Sequence, residues 1–315
     1  MIRDSVVKAF AHAAHSPDPD LAVAALMIAR VEYPRLDAGP YLDQLDALGR
    51  EASRRVSEAT LSRGDAPAGV DPQAYARVMA LNDYLFGELR FTGNDLHFED
   101  PRNSFLNEVI DRRTGIPITL ALLYIEVARR AGIHVEGINF PEHFLVRCPT
   151  PRSQPYTEDL IIDAHHGGAL LSEAACRRML RRRARGARPD DLEEGQEAEE
   201  RDRVLESRVF AHATKPQMMS RMLLNLKNIY VRMHSFPQAR DVTELMLAVD
   251  PSSASELRDR GLLAYHLNDF HTALRDLQAY LRLSSGADLD ADSREEHEQI
   301  WEHIKALRRR VASLN

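Results

Sequence analysis

Apolar residues recur at helical spacing along most of this chain, and the pattern breaks in one place. Leu21, Ala24, Ala25, Ile28 and Val31 fall on one helical face, with Asp20 as N-cap and Pro34 as stop. Pro40 sits in the first turn of a second helix whose apolar side is Leu42, Leu45 and Leu48. After a loop marked by Gly64, Pro67, Gly69 and Pro72, residues 72–90 read as a third helix. Met79, Leu81, Tyr84, Leu85 and Phe86 are its expected core positions. Turn formers fill 91–104 and deliver Asn103 or Ser104 as cap for the helix FLNEVIDRRT, which Gly115 closes. Pro117 then starts a helix through ITLALLYIEVARRAG. Leu120, Leu123, Tyr124 and Val127 are spaced along it, Arg129 and Arg130 favour its C-terminal dipole, and Gly132 ends it.

From Ile133 the period becomes alternating. IHVEGINF and EHFLVRC, separated by Pro141, and LIIDAHH, ended by Gly167-Gly168, predict three strands. LLSEAACRRMLRRR returns to a helix capped by Ser172. Residues 177–203 run from Arg-rich to acidic and read as a solvated linker. The last third repeats itself. Phe236 and Phe270, Ala239 and Ala273, and Asp250 and Ser284 are each 34 apart, the period and helix-turn-helix pattern of tetratricopeptide repeats. Residues 293–313 are amphipathic and suited to capping the stack.

The pattern predicts an α+β protein in four parts. A helical region at 1–90 packs on a core at 91–176 that holds a small antiparallel sheet. A charged linker at 177–205 then leads to an all-α repeat module at 206–315.

Composition narrows the function. Across 315 residues the net charge is −7 and aromatics make up 6%. A nucleic-acid partner is therefore not expected. No apolar run is long enough for a membrane span or a signal peptide, and the two cysteines have no metal or disulfide spacing. The expectation is a cytoplasmic protein without cofactor or metal, whose repeats bind a protein or peptide.

Three residues carry the candidate chemistry. His143 opens one strand, Asp163 ends another, and Thr119 stands at a helix start where backbone N–H groups and the dipole favour an oxyanion. Side by side, the two strands would give an orienter, base and nucleophile for acyl transfer. The alternative is a structural His143–Asp163 bond and a capping Thr119. Cys148 falls on the face opposite His143, and Cys176 lies among arginines. Of His165 and His166, read as strand neighbours, at most one could join the site. Asn103, Asn107, Glu108 and Arg112 form a polar set before the core helix, suited to bracing or binding at the site.

These stretches resemble a known family. PRNSFLNEVIDRRTGIPITLALLYIEVARRAGI, FPEHFLVR and IIDAHHGG are similar to the SirB-type transglutaminase-like domain, and the repeats to its tetratricopeptide tail. The resemblance implies a papain-like α+β core with its His-Asp pair at His143 and Asp163 and its nucleophile position near Thr119. The superfamily's Cys is replaced here by Ile118-Thr119. The chain also departs from the pattern at Glu142, where Gly is common, and at His165-His166, where an aromatic and a polar residue are more usual. A related domain occurs in a eukaryotic F-box ubiquitin-ligase subunit. A His-Asp scaffold without the thiol, joined to repeats of a peptide-binding type, leads to the expectation of a non-catalytic, regulatory binding protein, with an amide hydrolase or acyltransferase using Thr119, His143 and Asp163 as the alternative.

Overall fold

The computed structural model describes residues 2–59, 66–141, 143–150, 158–187, 209–284 and 291–312. The chain divides into two compact units. One comprises Leu21–Leu26 and Asp37–Met218, the other Met1–Asp20, Met27–Leu36 and Met219–Asn315.

The first unit is built around one helix. In chain order it contains part of α2 (Leu21–Ile28), then α3 (Gly39–Ala59), α4 (Pro72–Asn82), β1 (Thr92–Gly93), α5 (Leu106–Arg112), β2 (Thr114–Gly115) and α6 (Pro117–Arg130). β3 (Glu136–Ile138), β4 (Leu145–Cys148), β5 (Leu160–Asp163), β6 (Ala169–Leu171), α7 (Glu173–Ala187) and β7 (His212–Ala213) follow. Helix α6 is buried on nearly every side, as its almost continuous apolar sequence requires. Its one buried carboxylate, Glu126, is paired with Arg129 and Arg130, and Arg130 reaches on to Asp46 of α3. Gly49 lets α3 approach, because a Cβ there would stand 2.3 Å from that of Arg130.

Five strands form an antiparallel sheet in the order β6-β5-β4-β3-β7. Ile138, Leu145 and Ile161 face one way and pack with Cys176, Leu180 and Val209. Alternation turns their neighbours Val146 and Ile162 to the opposite side, and both are buried. Helix α6 packs against β3 and β4.

Several elements differ from the periodicity reading. The helix expected over 72–90 is α-helical only to Asn82, and Asp83–Glu88 forms a π-turn. Leu81, Tyr84 and Leu85 are buried as expected, while Met79 and Phe86 are half-buried. Helix α5 takes no cap from Asn103 or Ser104, which lie in a 3₁₀ turn (Pro101–Ser104) capped by Asp100. It ends at Arg112, before Gly115, because Arg113 turns left-handed at φ 57°. Thr114–Gly115 then pairs in parallel with Thr92–Gly93. The third strand stops at Asp163, so His165 and His166 lie in a turn. Part of the expected linker, 177–187, belongs to α7, and 188–205 lies outside the described residues.

The second unit is helical: α1 (Asp4–Ala14), most of α8 (Lys215–Arg232), α9 (Phe236–Val249), α10 (Ala254–His266), α11 (Phe270–Ser284) and α12 (Ala291–Ala312). The repeat is visible in its turns. His234 and Asn268, 34 apart, both take left-handed backbone at φ 56° and 61°. Ala239 and Ala273 are fully buried, and Gly261 brings α10 onto Leu277 of α11. Ile300, Ile304 and Leu307 of α12 close this core as a cap. Residues 1–20 and 27–36, expected to pack on the sheet-bearing core with the rest of 1–90, group here instead. Helix α1, whose Val6, Phe10 and Ala14 are buried, contacts α9, and Tyr230 donates to Glu32 at 3.0 Å.

Candidate functional site

Strand pairing brings His143 and Asp163 together. β4 and β5 run antiparallel with Val146 opposite Ile162, which puts Asp163 at the end of its strand and His143 just ahead of Leu145. The chain then turns sharply. Gly167 and Gly168 take φ of 66° and 76°, and Gly168 N–H donates to Asp163 O at 2.9 Å. Asp163 Oδ1 accepts from the backbone N–H groups of His165 and His166 at 3.1 and 3.3 Å. This fixes the carboxylate and aims Oδ2 at two imidazoles. His166 Nδ1 is 2.8 Å from Oδ2, and His143 Nδ1 is 3.7 Å from it.

The Asp163 carboxylate is therefore hydrogen-bonded to His166 rather than to His143. Nδ1 of His143 is buried and, among the described residues, has no hydrogen-bond partner. Burial pushes the His143 pKa down and outweighs the opposing pull of Asp163.

The turn is held from two sides. His165 Nε2 bonds Asp95 Oδ1 at 2.8 Å, and this bond holds the exposed Asp95 carboxyl below its usual range. Gly93 N–H donates to His165 O at 3.1 Å. A Cβ on Gly93 would lie 2.4 Å from the His165 ring, so only glycine fits. Asn82, where α4 passes into its π-turn, donates to Gly168 O at 2.8 Å. The loop bearing Asp95 is itself tied down, since Asn103 donates to His97 O at 2.8 Å and accepts from Asn94.

Thr119 does not join this group. It is fully buried at the third position of α6, where its hydroxyl donates to Asn103 O at 2.7 Å and accepts from Ile116 N–H at 3.1 Å. It does for this helix start what Glu or Gln does in a capping box. Both cysteines are buried, and desolvation pushes each thiol up to about 11.

Of the polar set, Asn103 positions the Asp95 loop, and Arg112 lies 3.5 Å from Asp100, which caps the 3₁₀ turn beside that loop. Asn107 is buried and Glu108 half-buried on α5. Sequence reading missed Asp95, Asn82 and Gly93. Their roles depend on long-range contacts without periodicity, and the local signal was only the turn-former density around 91–104.

Two trios among the described residues, His143/Asp163/His166 and Asp95/His165/His166, have ligand-type atoms within 4.8 Å of one another.

Comparison with known proteins gives consistent matches. A profile of the transglutaminase-like superfamily matches residues 40–224, and a tetratricopeptide-repeat profile matches 226–305. The chain is 35% identical over 259 residues to a UPF0162 protein of Xylella fastidiosa (strain Temecula1), covering 82% of each. It is 26% identical over 206 residues to a UPF0162 protein of Vibrio cholerae, covering 65% of this chain and 69% of that one. It is also 27% identical over 226 residues to F-box only protein 21 of Mus musculus, covering 69% of this chain and 32% of that longer protein.

Proposed function

The chain belongs to the transglutaminase-like superfamily, and we propose that it is a non-catalytic member of SirB type. In this reading it binds a protein or peptide partner in the cytoplasm, with a regulatory outcome. No bond in the partner is made or broken. The observation that carries this reading is the Thr119 hydroxyl, which is enclosed at the start of α6 and bonded to Asn103 and Ile116. An attacking oxygen needs an open face and a base within hydrogen-bond reach. Neither cysteine replaces it, since both are buried with raised pKa values. His143 and Asp163 then shape the turn, and Asn103, Asn107, Glu108 and Arg112 brace the loop beside it. Tetratricopeptide modules generally bind proteins, so the partner docks on residues 226–305. No described helix is long and apolar enough to cross a membrane.

The test uses the full chain as bait in extracts of its own cells, as wild type, Thr119→Ser, Thr119→Val and His143→Ala. Captured proteins and the intact bait are both weighed by mass spectrometry. The expected result is one partner set common to all four proteins, with uncleaved partners and an unmodified bait. An acyl adduct on Thr119, or a partner peptide cleaved by wild type but not by His143→Ala, would overturn the reading.

A further inference from the structure

We propose that His143, Asp163 and His166 form a site for one divalent first-row transition-metal ion. With metal–ligand bonds of about 2.0–2.2 Å in a tetrahedral site, ligand atoms stand about 3.4 Å apart. His143 Nδ1 and Asp163 Oδ2 are already near that separation at 3.7 Å. His166 Nδ1, 2.8 Å from the same oxygen, must retreat by about 0.6 Å. Its ring is half-exposed in a turn and can do so.

One ring nitrogen at the site also has an unmet bonding need. His143 Nδ1 is buried, lies 3.7 Å from the carboxylate and, among the described residues, has no hydrogen-bond partner. A metal ion supplies one. The surroundings orient the ligands as outer shells of metal sites do. Two backbone N–H groups hold Asp163 Oδ1 and leave Oδ2 presented to the rings. The His165 ring packs edge-on against His166, with centroids 5.1 Å apart. His165 serves as support rather than ligand, because its Nε2 is bonded to Asp95 and its ring is enclosed against Gly93.

Two imidazoles and one carboxylate suit Zn²⁺, Fe²⁺, Co²⁺ or Ni²⁺. Mg²⁺ and Ca²⁺ prefer all-oxygen sets. Three protein ligands leave a fourth position on the exposed His166 side for water or a carboxylate. Metal binding here stands whether or not the chain catalyses a reaction.

The test is direct. Metal-free full-length protein is titrated with Zn²⁺ by calorimetry and native mass spectrometry. Co²⁺ substitution reports tetrahedral geometry through its visible bands. The variants are His166→Ala, Asp163→Asn and, as a surface control, His15→Ala, each checked for fold by circular dichroism. His166→Ala removes only a half-exposed ring and keeps the test open if Asp163→Asn unfolds. The expected result is one Zn²⁺ per wild-type chain that excess Mg²⁺ does not displace. Affinity should fall on the order of 100-fold or more in the site variants, given that loss of outer-shell partners alone weakens metal binding 10–100-fold. His15→Ala should bind as wild type. Absence of stoichiometric Zn²⁺, binding unchanged in His166→Ala, or binding lost in His15→Ala would overturn the proposal. Because the readout is bound metal, failure here leaves the partner-capture result untouched.

Discussion

Replacing Thr119 by valine separates a structural hydroxyl from a chemical one. Valine has nearly the same shape, so no cavity opens and the whole effect is polar. The hydroxyl's bonds disappear: its donation to Asn103 O at 2.7 Å, shared with Ile116 O at 3.1 Å, and its acceptance from Ile116 N–H at 3.1 Å. The groups left behind are not orphaned, because Ile116 N–H also donates to Asn103 O at 3.3 Å. The loss should therefore be that of ordinary hydrogen bonds rather than of bare buried groups, about 1–2 kcal/mol in total. Thr119→Ser keeps the hydroxyl and removes one methyl group, with an expected loss of about 0.5–1.5 kcal/mol.

Urea denaturation of the three proteins measures this, with partner capture recorded alongside. If the hydroxyl is structural, capture follows the folded fraction in both variants. If it is a nucleophile, serine retains function and valine abolishes it, whatever their stabilities. A valine variant less than about 0.3 kcal/mol below wild type would refute the reasoning, since bonds made by a fully buried hydroxyl cannot be lost so cheaply.

Other substitutions probe the same framework. Gly93→Ala forces a Cβ to 2.4 Å from the His165 ring; overpacking of this kind costs about 1–3 kcal/mol. Denaturation should show that loss, and the His165 ring resonances should move as its bond to Asp95 breaks. Lys227→Met leaves Glu256 and Asp259 without the buried ammonium that holds them at 2.8 and 2.6 Å. The repeat unit should lose about 3–5 kcal/mol, read as an earlier thermal transition. Thiol alkylation tests burial by pH. With Cys148 and Cys176 pushed up to about 11, only about one thiol in a thousand is ionised at pH 8. Native protein should resist iodoacetamide there and react as pH approaches 11. Rapid labelling at pH 8 would contradict the described packing.

Periodicity located what depends on local pattern. Helix α6 announced itself through Leu120, Leu123, Tyr124 and Val127, and the repeats through residues 34 apart, because a helix buries a stripe the sequence must carry. The strand segments were legible as alternation, but their lengths were not. IHVEGINF contributes only Glu136–Ile138 to the sheet, because pairing partners rather than propensity set the ends of a strand. The placement of α1 depends on long-range packing that no local spacing encodes.

At the site the limit of local reading has one cause, the place where β5 ends. Taken as strand residues, His165 and His166 point to opposite faces, and at most one reaches Asp163. The strand stops at Asp163, where its own carboxylate captures the N–H groups of His165 and His166 and turns the chain. Once the chain turns there, His166 swings onto Oδ2 while His165 is drawn to Asp95, and the two neighbours take different carboxylates. The signal was present as an Asp followed within five residues by two His and two Gly. Reading it required weighing side-chain capture of the backbone above apolar alternation. The same turn gives Asp163 Oδ2 to His166 at 2.8 Å and leaves His143 at 3.7 Å, so the three side chains gather at one point.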